Sequence, residues 1–170
     1  DSGTFKIGDT LTEGEKLFYK GIPSFSPELF REVINKDPMK TKQLEKGVNQ
    51  LSDEGVAQLF IHSLGNRKII GTVGQLQFEV IQYRLQHEYG ATAEFRPLNY
   101  FKACWMQSTD QVKLDEFIRR KHNNVVNDKD GNLVFLADSP WILKVAKEDF
   151  PEIKFYTTSD FKVDAMAHVY

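Results

Sequence analysis

The chain contains an apolar run, two glycines three residues apart and the start of a helical pattern, in that order. The run ends at Ile70, the glycines are Gly71 and Gly74, and the helical pattern begins at Gln75. Such a strand, glycine turn and helix start can bind phosphate through backbone N–H groups. However, a P-loop needs a Lys and a hydroxyl after its last glycine, and a dinucleotide fold needs a third glycine. Here Gln75 and Leu76 follow Gly74, so we interpret the glycines as a packing turn between strand and helix.

Other residue types that could do chemistry lack the spacing that the chemistry needs. The histidines are His62, His87, His122 and His168, and no two have the spacing of a zinc-binding HExxH. The single cysteine, Cys104, has apolar neighbours and is predicted to be buried. No Ser/His/Asp set is indicated. We therefore predict no catalytic, cofactor-binding or metal-binding residues in this chain.

Two acidic segments are open to more than one interpretation. Asp128 begins a sequence, Asp-Lys-Asp-Gly, that is similar to the start of a calcium loop, but the twelfth position is Ser139 and not the bidentate Glu. We therefore predict a β-hairpin turn there. Asp53 and Glu54 lie at the end of a predicted helix, beside Gly55, and are either a solvated turn or a specific contact surface.

Two basic clusters are candidates for contact with RNA phosphates, which receive most protein–nucleic acid hydrogen bonds. Solvated helix faces are the alternative explanation. An RRM is not indicated, because the strands lack the aromatic RNP1 pattern. The first cluster consists of Lys36, Lys40, Lys42 and Lys46, and the second consists of Arg119, Arg120, Lys121 and His122.

The bulk properties are those of a globular chain that can bury a core. There are 170 residues with a formal net charge of −2, spread evenly, so contact with nucleic acid must be local. No apolar run approaches the roughly 20 residues of a membrane helix. The start lacks Met and any signal-peptide pattern, so we expect a processed chain or an excised fragment.

Hydrophobic periodicity predicts two consecutive βαββαβ units. The first has strands over 28–35, 56–62, 68–73 and 92–95. Its helices present Leu44, Val48 and Leu51, and then Leu76, Val80, Ile81, Leu85 and Tyr89 up to a stop at Gly90. The second has strands over 98–107 (with Phe101, Ala103 and Trp105 on one face), 123–128, 132–137 and 152–157. Its helices begin near Asp110 and at Ser139-Pro140.

The predicted fold class is therefore α+β, with two tandem ferredoxin-like sandwiches. The predicted boundaries are 1–25 for the end of a β-barrel domain and a connector, 26–97 and 98–160 for the two units, and 161–170 for a tail.

The segment over 69–85 resembles a strand–turn–helix of domain III in translational GTPases of the elongation factor G class. The matching positions are Gly74, Leu76, Val80, Ile81, Arg84 and Leu85. The residue after Gly74 departs from the family pattern, which has an acidic residue there. The segments over 26–44 and 51–60 are similar to the bacterial peptide chain release factor 3 family within that class. The resemblance covers about residues 3–161.

This resemblance implies a C-terminal fragment of a translation-termination GTPase, without the GTP-binding domain. The parent would promote departure of class I release factors from the ribosome, with GTP or GDP and magnesium bound by the missing domain. The fragment itself would be a non-enzymatic, monomeric, cytoplasmic module that docks on the small ribosomal subunit. Its possible contact residues are Lys40, Lys42, Lys46, Arg119, Arg120 and Lys121.

Two functions of other classes remain open at this point. One is a tandem ferredoxin-like regulatory module that binds a small metabolite between its halves. The other is a free RNA-binding module.

Overall fold

The structure is a computed structural model that describes residues 25–157. The predicted β-barrel remnant, apart from residue 25, and the predicted tail lie outside this range. In chain order the elements are β1 (Leu29–Asn35), a 3₁₀ turn (Pro38–Lys40), α1 (Thr41–Asp53), β2 (Gln58–His62), β3 (Arg67–Thr72), α2 (Gln75–Tyr89), β4 (Ala93–Leu98), β5 (Lys102–Gln107), α3 (Gln111–Arg120), β6 (Val125–Asp128), β7 (Leu133–Ala137), α4 (Pro140–Asp149) and β8 (Lys154–Tyr156).

The strands form one antiparallel sheet in the order β4-β1-β3-β2-β6-β7-β5-β8. Each half of the sheet has the strand order of a ferredoxin-like sandwich, so the predicted α+β class is confirmed. The halves meet where β2 pairs with β6, through Phe60 opposite Asp128 and Ile61 opposite Asn127. β4 runs to Leu98, where the sequence predicted a new strand. Where the chain divides into domains remains a prediction.

Local signals fix three of the helix ends. The Asp110 carboxylate accepts from the backbone N–H of Lys113 at 3.1 Å and caps α3. The Ser139 hydroxyl oxygen accepts from the N–H of Ile142 at 3.1 Å and caps α4. Gly90 ends α2 with φ 64°, a conformation that suits glycine. These ends were predicted from the sequence and are confirmed.

The buried face of α2 differs from the predicted one. Phe78, Ile81 and Leu85 are buried, whereas Leu76 and Val80 are exposed. Ile81 and Leu85 were expected there, but Phe78 was not. The apolar residues of α2 occupy both sides of the helix, so periodicity did not identify the side that packs.

Each half of the sheet has a core between its strands and its two helices, and a third core lies on the sheet face opposite the helices. Side chains alternate along a strand, so Leu59 packs against α1 and α2 while Phe60 points to the other face. The members of this shared core come from both halves: Phe30, Phe60, Ile69, Ala103, Trp105, Val126, Val134 and Leu136. The rings of Phe60 and Trp105 are 6.1 Å apart, although β6 and β7 separate their strands. Three strand spacings are about 14 Å between backbones, so these two large side chains reach across β6 and β7 and join the two halves on this face.

The residues before and within β5 follow the prediction in part. Ala103 and Trp105 share the face predicted for them, and Cys104 is buried as expected. Phe101 was predicted to join that face. It precedes the strand and is 40% exposed.

Candidate functional site

The glycine turn between β3 and α2 is held by its own chain. The Thr72 hydroxyl donates to the Gly74 carbonyl at 2.9 Å, and the Gly74 N–H donates to the Gln77 side-chain oxygen at 3.1 Å. A Cβ on Gly71 would lie 2.7 Å from the Cβ of Pro27. Gly71 is therefore needed for the close approach of the segment before β1, which supports the packing interpretation of this turn.

The two acids at the end of α1 both have partners within the protein. Arg84 donates to both carboxylate oxygens of Glu54, at 2.6 and 3.2 Å, and to both oxygens of Glu88, at 2.8 and 2.9 Å. Hydrogen bonds from Arg84 lower the pKa of Glu54 and of Glu88, and these acids raise the pKa of Arg84. Asp53 accepts from Lys129 at 3.0 Å. Arg84, one of the positions that carry the resemblance, thus ties α2 to the end of α1.

Asp128 organises the predicted hairpin between β6 and β7. One carboxylate oxygen accepts from the backbone N–H groups of Asp130 and Asn132, at 2.9 and 2.8 Å. The other accepts from the Asn132 amide at 3.0 Å and from the indole N–H of Trp105 at 2.9 Å. Gly131 completes the turn with φ 85°. The hairpin prediction is confirmed, and the carboxylate serves the turn and the shared core.

A cleft of about 350 Å³ lies at the junction of the two halves. Its walls come from the first half, including Gly55 and Gln58, and from the second half, including Trp105 and Lys129. The ion pair between Asp53 and Lys129 joins the end of α1 to the hairpin of the second half. This is the cavity in which a ligand bound between the halves would lie.

The histidines within 25–157 occupy separate places. His62 is buried, and its Nδ1 accepts from the N–H of Leu64 at 3.1 Å. The ring of His87 lies 4.0 Å from that of Tyr83 on the exposed side of α2. His122 is exposed, with Nδ1 3.2 Å from the Arg119 carbonyl. In the part of the chain that the structure describes, no three or more His, Cys, Asp or Glu residues group as a metal site.

The first predicted basic cluster lies on the 3₁₀ turn and α1. Lys42 and Lys46 are exposed one helical turn apart, and Lys40 is half-buried at the end of the 3₁₀ turn. Lys36 lies 3.5 Å from Glu94. Contact of these lysines with RNA stays a prediction.

The second basic cluster lies at the end of α3, in the other half of the sheet. Arg120 pairs with Glu116 at 2.6 Å and lies 5.6 Å from the ring of Phe150. Arg119 is exposed, whereas Lys121, which follows the helix, is half-buried. Cations at a helix C-terminus also interact favourably with the helix dipole and stabilise the helix. The cluster therefore has a structural role besides any contact role.

Sequence reasoning missed a third group of cationic and aromatic side chains. Trp141, in the first turn of α4, is 65% exposed, and the Lys144 amine lies 5.7 Å from its ring centre. The Lys102 amine lies 5.2 Å from the ring of Phe101. Phe101, Lys144 and Lys147 line one notch in the surface. The spacing of Trp141, Lys144 and Lys147 along α4 was visible in the sequence, but the approach of Phe101 depends on the fold.

The sheet order and the two helix pairs define an α+β protein with ferredoxin-like topology. The family model for the class II release factor RF3, C-terminal domain, matches residues 19–147. The chain belongs to this family, and so it is a release-factor module of translation termination. Within 25–157, none of the helices is both long enough and apolar enough to cross a membrane.

Proposed function

We propose that this chain docks a translation-termination GTPase on the small subunit of the ribosome. The parent protein would promote release of class I release factors after peptide release, in the cytoplasm. GTP or GDP and magnesium would be bound by another domain of the parent, and the chain itself would take no part in hydrolysis. The observation that carries the proposal is the family match over residues 19–147.

The way in which the two halves of the sheet are joined supports a mechanical role for the chain in ribosome docking. The two halves share the core around Phe60 and Trp105, and strand pairing and the pair of Asp53 with Lys129 link them further. A module that is continuous through its core transmits a displacement as one body, because packed interiors are not easily deformed. The proposal thus assigns the chain the role of a stiff arm between the ribosome and the GTP-binding domain.

Co-sedimentation of the full-length parent with ribosomes tests the proposal. The parent should pellet with ribosomes, and its bound fraction should depend on whether GDP or a non-hydrolysable GTP analogue is present. Deletion of this chain from the parent should reduce the pelleted fraction while leaving nucleotide binding intact. Full pelleting by the deletion variant would contradict the docking role.

A second candidate function rests on the cleft between the halves. Its volume of about 350 Å³ and its lining by Trp105, Gln58 and Lys129 suit a small polar metabolite. A thermal-shift screen of metabolites against the chain tests this alternative. A ligand whose stabilisation is abolished by Lys129→Met and unchanged by Lys154→Met would favour it over ribosome docking.

A further inference from the structure

An exposed tryptophan beside lysines is unusual enough to require an explanation. Large aromatic side chains are mostly buried, yet Trp141 is 65% exposed and Phe101 is 40% exposed. We call the surface formed by Phe101, Lys102, Trp141, Lys144 and Lys147 the Trp141 patch. It belongs to neither of the basic clusters found from the sequence.

The patch carries more positive than negative charge. Lys144 lies near the Trp141 ring, Lys102 lies near the Phe101 ring, and Lys147 lines the same notch as Lys144. Glu148 is the acid that lines this notch. Within residues 25–157, none of the three lysines takes part in an ion pair. Their charges are therefore available to an anionic partner.

The combination fits a strand of nucleic acid with unpaired bases. Single-stranded RNA is bound by aromatic rings on which bases stack and by lysines that contact phosphates. A duplex hides the faces of its bases, so it would leave Trp141 unused. An acidic protein would use the lysines, but it would gain less from the open rings.

We propose that the Trp141 patch binds single-stranded RNA, with one unpaired base stacked on Trp141 and the phosphates contacted by Lys102, Lys144 and Lys147. The notch of about 350 Å³ beside Phe101 takes a neighbouring base. This inference rests on the proposed function, since it supplies an RNA-contacting surface of the docked chain. It places this surface on α4 and the start of β5, in addition to the candidate clusters on α1 and α3.

Binding of a 12-nucleotide oligoadenylate to the 170-residue chain tests the proposal. Tryptophan fluorescence should be quenched on binding, because Trp141 is exposed while Trp105 is buried and remains a constant background. A 12-base-pair RNA duplex should bind much more weakly. Trp141→Ala should weaken oligoadenylate binding roughly 5- to 150-fold, which is the usual range for loss of one stacked base.

Matched variants separate stacking from charge. Trp141→Phe should retain most of the affinity, and Tyr83→Ala, which removes an equally exposed ring on α2, should change nothing. Replacing Lys102, Lys144 and Lys147 by Gln should reduce the slope of log affinity against log salt by about 2. Lys154→Gln is the charge control, because Lys154 lies on β8 opposite Gln107, at the other end of β5 from Lys102.

Three results would overturn the assignment: equal binding of the duplex, equal weakness of the Phe and Ala variants at position 141, or an unchanged salt slope in the triple variant. Loss of ribosome binding in Trp141→Ala without any oligoadenylate binding would assign the patch to a protein partner instead. Ribosome binding that is unaffected by Trp141→Ala, with no oligoadenylate bound, would remove the patch and leave ribosome docking intact. Oligoadenylate binding by a chain that does not bind ribosomes would support the Trp141 patch and contradict ribosome docking.

Discussion

The indole N–H of Trp105 donates to the carboxylate of Asp128 at 2.9 Å, at the place where the two halves of the sheet join. Asp128 lies opposite Phe60 across the β2–β6 junction, and the ring of Trp105 packs on that of Phe60. One hydrogen bond thus links the hairpin of the second half to the core shared with the first. Both partners are buried, so loss of either leaves an unsatisfied polar group or a cavity.

Asp128→Ala should destabilise the protein by about 2 to 4 kcal/mol, because Trp105 and the hairpin N–H groups lose a charged acceptor. Urea unfolding measures this. In a double-mutant cycle with Trp105→Phe, the coupling energy should be about 0.5–3 kcal/mol. Asp115→Asn, at an exposed position on α3, is the control and should stay within about 0.5 kcal/mol of the parent. Strict additivity in the cycle would show that the hydrogen bond contributes nothing specific.

Phe60→Ala should cost about 3–5 kcal/mol, since the side chain is fully buried at the centre of the shared core. The loss of stability should be equal in both halves of the sheet. Hydrogen exchange of the β3 and β7 amides, read by mass spectrometry or NMR, measures each half separately. Lys129→Met should cost less than about 1 kcal/mol, because its ion pair with Asp53 is exposed. Faster exchange confined to β3 in Phe60→Ala would mean that the halves unfold independently.

The sequence predicted the elements well and their assembly less well, for physical reasons. Helix caps such as Asp110 and Ser139, and the hairpin turn that ends with Gly131 at a positive φ, are determined by the residues at those positions. The pairing of β2 with β6 has no comparable local signal, because any exposed strand edge offers the same hydrogen-bonding groups.

The candidate site was harder to predict than the fold. Its possible contact residues came from clusters of Lys and Arg along the chain, and their role stays a prediction. The Trp141 patch escaped detection because Phe101 and Trp141 are 40 residues apart in the chain. The buried face of α2 was predicted wrongly at Leu76 and Val80, since either face of that helix is apolar enough to be buried.

Gly47→Ala should destabilise the protein by about 1–3 kcal/mol, although Ala favours helices by about 1 kcal/mol over Gly. A Cβ at this position would lie 2.6 Å from Leu85 Cδ2 and 2.9 Å from the Tyr89 ring, where α1 and α2 pack. Thermal unfolding checks the change. Asn49→Ala, on the exposed side of α1, should be neutral or slightly stabilising. A higher Tm for Gly47→Ala would contradict the close packing of the two helices.

Arg84→Met should lower stability at pH 7 by an amount that shrinks in acid. Arg84 depresses the pKa of Glu54 and Glu88 below the ordinary value of 4.5 in the folded state. A depressed carboxylate pKa contributes stability above the unfolded-state pKa, and the contribution is lost as the pH falls through the folded-state pKa. Urea midpoints of parent and variant should therefore converge below about pH 4.5. A constant difference from pH 7 to pH 3 would show that Arg84 acts only through packing, and Lys42→Met should show little difference at either pH.

Replacing Arg119, Arg120 and Lys121 together by Gln should weaken ribosome association if the end of α3 contacts rRNA. The matched variant replaces Lys40, Lys42 and Lys46 by Gln on the other half of the sheet. Each triple change should reduce the slope of log affinity against log salt for ribosome binding. The reduction should be at most the amount that about three phosphate contacts contribute. Unchanged co-sedimentation in either triple variant would remove that cluster from the contact surface.

Binding of the 170-residue chain to purified ribosomal subunits, followed by sedimentation through a sucrose cushion, tests the central claim most directly. The chain should pellet with small subunits in a saturable, salt-sensitive manner and remain in the supernatant with large subunits alone. A chain that stays in the supernatant with both subunits at low salt, while its Tm shows that it is folded, would contradict the docking role.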